Sequence, residues 1–308
     1  MKSFLKNGQG LIKCDKWEPN CWVNIERPTE DDKKYLLNEL NIPEAFYNDI
    51  KDIDERPRIE IEDGWVFILF RIPFKNPKTN NPFETGPVGI IFKDDVFVSI
   101  CFYKTELIPD FIQFSKRKNI IKQNNFDFIL QLCLSSSVWF LKYLKQINQQ
   151  IKSAENTLEK SIKNEDLQTL FKIEKCLVYF TTSLRGNAIL VHRVKNLRAN
   201  KNTLDEDLVE DVEIELRQAL ETTNIYNDIL TGMMDAYASV ISNNLNVIMK
   251  QLTSISIILM IPTLIASLYG MNVPNSLQDN TWGFWIVLII SFLITSLGVF
   301  LFWKRRWF

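Results

Sequence analysis

The sequence predicts an α+β protein whose amino-terminal part folds in water and whose carboxyl-terminal part crosses a membrane. Three observations carry this prediction. Residues 1–124 alternate β-prone runs, helical patterns and turns, and hold nine of the eleven prolines. Between Pro109 and Pro262 no proline interrupts a long helical pattern. From Gln251 to Trp303, Asp279 is the only charged residue, although the chain has 36 basic and 37 acidic ones.

Residues 1–124 predict a mixed α/β domain. Asp63-Gly64 separates two β-prone runs and favours a tight hairpin, because this turn needs the positive φ that glycine adopts without strain. A second pair of runs surrounds Lys93-Asp94-Asp95. Helices are predicted at roughly residues 30–40, 44–53 and 106–116. The predicted strands are Arg58–Glu62, Trp65–Ile72, Val88–Phe92 and Val96–Cys101.

Residues 125–203 predict a helical hairpin with breaks near residues 163–166 and 199–204. A third helix then begins near Leu204, where Thr203 and Glu206 have the spacing of a capping box. Nothing in the sequence stops this helix before about Tyr269, which gives a length on the order of 100 Å. Since such a helix does not fit inside one globular domain, residues 204–251 predict a stalk that continues into a membrane region at residues 252–308.

The predicted stalk carries one apolar stripe. Its members step mostly by three and four residues, which is typical of helices packed in a bundle or coiled coil. The stripe predicts burial, either against neighbouring helices of the same chain or against other copies, and it fixes no number of copies. Its members are Val209, Val212, Leu216, Ala219, Thr223, Tyr226, Leu230, Met233, Tyr237, Val240, Asn244 and Ile248.

Two uncharged segments have the length of membrane-spanning helices. Leu252–Tyr269 has 18 residues and Trp282–Trp303 has 22. Lys250 precedes the first segment and residues 304–306 are all basic, whereas the connecting loop has no basic residue. By the positive-inside rule, both termini are expected in the cytosol and the loop outside.

The first span, with the helical turn before it, carries polar, small and Met residues at steps of three and four. A ring of such helices can line a water-filled path, whereas the two spans of one chain cannot enclose one. The same residue types also let membrane helices pack closely, so the spacing alone leaves both a pore lining and a packing face open. The stripe consists of Asn246, Met249, Thr253, Ser256, Met260, Thr263, Ser267 and Gly270.

Composition and motifs exclude several classes of protein. The formal net charge of −1 argues against a nucleic-acid partner. Five cysteines without a CxxC pair predict neither a zinc site nor a disulfide framework. The sequence has no phosphate-binding loop, GxSxG or HExxH motif, and His192 is its only histidine, so no enzyme activity is expected.

Gly270-Met271-Asn272 closes the first span, and here the sequence resembles the CorA family of magnesium and cobalt channels. The signature of that family is a Gly-Met-Asn triplet at the end of the first of two carboxyl-terminal spans. In the amino-terminal domain, Asn48-Asp49-Ile50 and Arg56-Pro57-Arg58 resemble the family as well. The resemblance therefore covers nearly the whole chain. Further similar positions are Asn243, Asn244, Asn246, Met249, Lys250, Leu252, Thr253 and Pro262.

The resemblance implies a homopentameric funnel in the lipid of a bacterial cytoplasmic membrane, which admits Mg²⁺ and Co²⁺ down their electrochemical gradient. Gly270, Met271 and Asn272 would form the outer mouth, where neutral oxygens bind an ion that keeps its water. Met and Leu positions would form a gate that closes by dewetting. The implied pore lining is Asn246, Met249, Leu252, Thr253, Ser256, Met260 and Thr263.

The resemblance also implies regulation by cytosolic Mg²⁺. Asp49 and Asp235 match carboxylates that share a Mg²⁺ between adjacent subunits, and Asp211 matches a second, weaker site. Asp211 belongs to an acidic run, Glu206–Glu215, which is equally typical of a solvated helix start. The loop at residues 273–280 departs from the family, because Asp279 is its only acidic residue. Two alternatives stay open, a zinc transporter of the same architecture and a two-span signalling scaffold.

Overall fold

The computed structural model describes residues 2–76, 81–158, 164–197, 204–272 and 281–305. The chain divides into two compact units, Met1–Thr231 and Gly232–Phe308. An α/β domain comes first, followed by a long helix and a second apolar helix. This order of elements confirms the predicted fold class.

A seven-stranded sheet forms the centre of the first unit, in the order β2-β1-β3-β7-β6-β5-β4. Neighbouring strands are antiparallel except β3 and β7, which run parallel with Val23 opposite Val98. The strands are β1 (Lys2–Gly8), β2 (Gly10–Cys14), β3 (Trp22–Glu26), β4 (Arg58–Glu62), β5 (Trp65–Phe74), β6 (Glu84–Lys93) and β7 (Val96–Cys101).

Both predicted hairpins are present. Asp63 and Gly64 have φ values of 49° and 79°, as the tight turn between β4 and β5 requires. Strand β6 is longer than predicted, because it includes Pro87 and Gly86, which usually interrupt strands. The sequence analysis missed β1, β2 and β3. Strands β1 and β2 mix Lys and Gly with apolar residues, and β3 has only five residues, with Asn24 among its apolar ones.

Six of the described helical segments lie wholly within the first unit and accompany the sheet. The helix break predicted near residues 163–166 lies at the boundary between α4, which ends at Leu158, and α5, which begins at Asn164. Residues 159–163, between the two helices, lie outside the described residues. The segments are α1 (Glu30–Lys34), a π-helical turn (Tyr35–Glu39), α2 (Glu44–Lys51), α3 (Leu107–Lys118), α4 (Asn125–Leu158) and α5 (Asn164–Lys195).

An aromatic cluster fixes α3 and α4 to the sheet. The ring of Phe128 on α4 meets Trp22 edge-on at 5.1 Å between centroids, and it meets Phe97 and Phe111 at 5.5 Å each. The Trp22 indole Nε1 donates a 2.7 Å hydrogen bond to the Ser99 hydroxyl, so the polar atom of this buried ring is satisfied. Edge-to-face contacts of this kind add to the free energy gained from burial.

Helix α6 runs from Glu206 to Tyr269, and its 64 residues give a length of about 96 Å. The Asp205 carboxylate caps it by accepting hydrogen bonds from the amides of Asp207 and Leu208. The predicted cap, Thr203, lies outside the described residues. Helix α7 follows at Gly283–Lys304.

The apolar stripe of the predicted stalk divides into two parts. From Val209 to Leu230 its members are buried or half-buried, as predicted. Val240 is 47% exposed, and Asn244 and Ile248 are exposed too. The chain therefore covers the first part of the stripe with its own side chains and leaves the last part uncovered.

Candidate ion-conducting helix and cation-binding carboxylates

Within the second unit, α7 lies beside one face of α6. Ser254, Ile258, Ile261 and Ile265 recur at steps of three and four and are buried or half-buried. A Cβ placed on Gly298 of α7 would lie 3.8 Å from the Cδ1 atom of Ile261, an ordinary packing distance. Gly298 thus lies beside this face of α6.

The predicted pore-lining residues lie away from that face. Residues two positions apart on a helix are separated by about 200°, so Ser256 is nearly opposite Ile258 and Thr263 is nearly opposite Ile261. Met260 is 68% exposed, the largest exposed fraction among the apolar members of the set. The whole predicted lining is exposed in the single chain, namely Asn246, Met249, Leu252, Thr253, Ser256, Met260 and Thr263.

The hydroxyl groups of this stripe point their acceptor side outward. Thr253 donates to the carbonyl of Met249 at 2.7 Å, and Ser256 donates to that of Leu252 at 2.8 Å. Thr263 repeats the pattern towards Leu259 at 2.9 Å. Since the hydroxyl proton is used within the helix, the oxygen lone pairs remain available on the exposed face. A row of such oxygens suits a cation and offers no donor to an anion.

Helix α6 ends immediately before the Gly-Met-Asn triplet. The Gly270 amide donates the last 2.9 Å helical bond, to Ala266, and Met271 and Asn272 follow as exposed residues. A Cβ on Gly270 would lie 3.2 Å from the Ala266 carbonyl oxygen, closer than most side chains approach. The triplet therefore presents its groups at the end of the first span. The loop that follows, residues 273–280 with Asp279, lies outside the described residues.

Asp49 lies on α2, which sits on β6 so closely that the Ile50 side chain occupies the space of a Cβ on Gly89. Its carboxylate Oδ2 accepts a 2.7 Å bond from the Arg58 guanidinium, with the two side chains 34% and 21% exposed. Arg58 also pairs with Glu55 and with Glu60. The predicted regulatory carboxylate thus already has a cationic neighbour in its own chain.

Arg71 anchors the loop between α2 and β4. Its guanidinium donates to the backbone carbonyls of Ile53 at 2.6 Å and Glu55 at 2.9 Å, and also to that of Thr85 at 3.0 Å. Burial lowers the pKa of this guanidinium from its usual value. The sequence analysis missed Arg71, although a lone arginine inside the apolar strand WVFILFRI is a visible signal.

The close approach of α5 holds the same loop. A Cβ on Gly186 would lie 2.7 Å from Pro57 Cγ, so only glycine fits where α5 meets the loop. Backbone anchors on both sides therefore fix the segment that leads from Asp49 to Arg58.

Asp235 and Asp211 both lie on α6 and are exposed. In the second unit, the backbone carbonyl of Asp235 accepts a bond from Ser239, and its carboxylate faces solvent. The described part of the chain brings together no group of three or more His, Cys, Asp or Glu side chains able to hold a metal ion. Asp235 and Asp211 can bind Mg²⁺ as predicted only if another copy of the chain completes the site.

Helices α6 and α7 are long and apolar enough to cross a membrane. The chain matches the family model for the CorA-like Mg²⁺ transporter protein over residues 17–306. It is similar to the cobalt/magnesium transport protein CorA of Methanocaldococcus jannaschii, at 24% identity over 93% of this chain and 90% of the relative. The corresponding protein of Thermotoga maritima is 25% identical over 93% of this chain and 83% of its own length.

The fold is also similar to that of a solved structure. The complete structure of the CorA magnesium transporter from Methanocaldococcus jannaschii superimposes with a TM-score of 0.86 at 22% identity. The match covers 100% of this chain and 99% of that one. The likeness therefore includes the two apolar helices as well as the amino-terminal unit.

Proposed function

The chain belongs to the CorA-like Mg²⁺ transporter family, and from this premise we propose that it is a channel for divalent cations. The observation that carries the proposal is the exposed row of acceptor oxygens on α6, which ends at Gly270-Met271-Asn272. Magnesium and, as in the relatives named cobalt/magnesium transport proteins, cobalt are the proposed substrates. The channel lets them enter down their electrochemical gradient.

Several copies of the chain are needed to form the pore, because two spans cannot enclose a path for water. The uncovered end of the stalk stripe, which includes Val240 and Ile248, supports contact between copies. The family resemblance supports five copies. The asymmetry of basic residues supports an orientation with both termini in the cytosol, and the family resemblance supports a bacterial cytoplasmic membrane.

Selection takes place at the outer mouth in this proposal. The Asn272 amide oxygens and the Gly270 carbonyls of the ring accept hydrogen bonds from the water around the ion. Mg²⁺ holds six oxygens tightly and loses water reluctantly, so a neutral ring that binds the hydrated ion avoids the cost of dehydration. Further in, the apolar side chains of Met249, Leu252 and Met260 close the path when they approach each other.

Regulation rests on Asp49 and on Asp235 of a neighbouring copy. Both are exposed or half-exposed carboxylates, which are the ligands that Mg²⁺ prefers, and no described residue donates to the Oδ1 atom of Asp49. A bound Mg²⁺ would supply the positive charge that cancels their repulsion. Asp49 and Asp235 then hold adjacent copies together and favour the closed state, and Asp211 contributes a weaker site.

The selectivity proposal is tested with Asn272→Ala in reconstituted liposomes. Loss of the amide ring should lower Mg²⁺ uptake at least about tenfold while assembly stays intact, because an exposed residue after the helix end contributes little to folding. Asn38→Ala, at an exposed asparagine of the first unit, is the matched control and should leave uptake unchanged. Wild-type uptake by an assembled Asn272→Ala protein would show that the triplet has a structural role. Competition with Zn²⁺ in the same assay tests the zinc alternative.

The regulatory proposal is tested by limited proteolysis of the stalk at increasing Mg²⁺. The double variant Asp49→Ala/Asp235→Ala should need at least about tenfold more Mg²⁺ for protection than the wild type, since both proposed ligands are gone. The single variant Asp211→Ala should change the midpoint less. If the double variant keeps the wild-type midpoint, the sensor lies elsewhere, and the acidic run around Asp211 is the next site to change.

A further inference from the structure

Arg58 lies at the centre of a group of three carboxylates. Its Nη2 contacts Asp49 at 2.7 Å, its Nε contacts Glu60 at 2.7 Å, and its Nη1 contacts Glu55. The guanidinium carbon also lies 5.4 Å from the centre of the Phe67 ring. One arginine thus satisfies three acidic side chains, in charge-assisted bonds that are stronger than neutral ones.

The pair between Arg58 and Asp49 differs from an ordinary surface ion pair, because both backbones are fixed. Arg58 begins the edge strand β4 and pairs with Leu69 of β5. Asp49 lies on α2, which is wedged onto β6. Surface ion pairs contribute little when two mobile side chains must be ordered to form them. Here much of that ordering is already supplied by the fold.

This arrangement has a direct consequence for a cation that binds Asp49. An approaching divalent ion meets a carboxylate whose Oδ2 is occupied by Arg58 and a local charge reduced by the guanidinium. To bind the ion, the Asp49 carboxylate must either release Arg58 or contact Arg58 and the ion at the same time. Either event weakens the site, because like charges repel at this distance and the lost hydrogen bond must be replaced.

We propose that Arg58 is an internal competitor for the Asp49 carboxylate and thereby sets the Mg²⁺ concentration at which the regulatory site fills. This inference rests on the proposed regulatory role of Asp49. Arg58 keeps the affinity of the site for Mg²⁺ low, so that the site empties when the cytosolic Mg²⁺ concentration falls. Without Arg58, the carboxylate of Asp49 would keep its full negative charge, and the nearby charges of Glu55 and Glu60 would favour the approach of a cation, so the site would fill at a lower Mg²⁺ concentration.

The test uses the full-length protein in detergent and measures the Mg²⁺ midpoint of protection against chymotrypsin, which does not cleave at arginine. Arg58→Gln should lower the midpoint about tenfold, as expected when one positive charge next to a divalent ion is removed. Arg58→Lys keeps the charge but cannot bind three carboxylates, and should shift the midpoint less than threefold. Arg58→Met, which also removes the charge, is the second variant if Arg58→Gln fails to fold, and its midpoint should fall by about the same factor.

Glu60→Gln is the matched control. It removes one partner of Arg58 and leaves the bond between Arg58 and Asp49 in place. Its midpoint should stay the same or rise slightly, because it removes a negative charge. A fall like that of Arg58→Gln would mean that disturbing the group, rather than freeing Asp49, produces the effect, and would overturn the inference.

Asp49→Asn separates this inference from the regulatory proposal. If Asp49→Asn keeps the wild-type midpoint, the regulatory site at Asp49 is wrong, and Arg58 has no role in it. If Asp49→Asn loses protection while Arg58→Gln keeps the wild-type midpoint or raises it, the site stands and Arg58 is not a competitor. The inference holds only if Asp49→Asn loses protection and Arg58→Gln gains it at lower Mg²⁺.

Discussion

The two units of the chain use similar apolar residues in opposite ways. In the first unit, Phe128 is 1% exposed and packs among other aromatic rings between helix and sheet. In the second unit, Phe292 on α7 is 70% exposed, and Phe284 and Trp303 are similarly exposed. The first unit therefore gains its stability from contacts within the chain. The second unit presents its apolar surface outward, as a protein whose solvent is lipid must.

A second contrast lies inside the second unit. Helix α7 is apolar on almost every side, which suits a helix surrounded by lipid. Helix α6 has one face beside α7 and, away from that face, exposed hydroxyl oxygens at Thr253, Ser256 and Thr263. Water suits these oxygens better than hydrocarbon does, because their lone pairs can still accept hydrogen bonds. The difference between the two helices supports the proposal that α6 lines the pore.

Replacing Phe by Ala should have a large effect on stability in the first unit and a small one in the second. Phe128→Ala should destabilise the protein by about 3–5 kcal/mol, because it leaves a cavity among Trp22, Phe97 and Phe111. Phe292→Ala should change stability by less than about 0.5 kcal/mol, since no tight core surrounds the exposed ring. Thermal unfolding of both variants in the same detergent, followed by circular dichroism, measures the difference.

Equal losses of stability would contradict the comparison. A large loss at Phe292 would mean that this ring is buried in an assembled form, and that α7 lies between copies rather than in lipid. A small loss at Phe128 would mean that the aromatic cluster is not tightly packed.

Cysteines placed on the two faces of α6 should differ in how fast they react with a thiol reagent. Thr263→Cys should react at least about tenfold faster than Ile261→Cys with a charged, membrane-impermeant thiol reagent, because only the first position faces water in a pore. The two positions are at similar depth and nearly opposite on the helix. The wild type, which has five cysteines of its own, gives the background rate. Faster reaction at Ile261 would place the water-filled path on the other side of α6.

Local signals in the sequence were enough for part of this fold. Asp63-Gly64 predicted a turn that the structure confirms, and the absence of a stop signal before about Tyr269 predicted the extent of α6. Strand β3 could not be predicted in this way, because it is held by β1 on one side and, in parallel, by β7 far along the chain. Pairing between distant segments leaves little trace in a short sequence window.

The candidate site shows the same limit. The stripe on α6 follows from helical spacing alone, and the structure places its hydroxyl oxygens on an exposed face. The role of Arg71 does not follow from spacing, since its partners Ile53, Thr85 and Ser183 come from three different segments. The link between Asp49 and Asp235 stays a prediction, because it requires more than one copy of the chain.

Voltage-driven flux measures whether this protein conducts Mg²⁺ through a pore. Purified protein in liposomes that contain a Mg²⁺-sensitive dye should admit Mg²⁺ when a K⁺ gradient with valinomycin makes the interior negative. A divalent ion gains about 4.6 kcal/mol per 100 mV, so no ATP and no pH gradient should be needed. Uptake that rises with voltage in the absence of both is the predicted result. Uptake that requires ATP or a proton gradient, or none at any voltage, would contradict the claim.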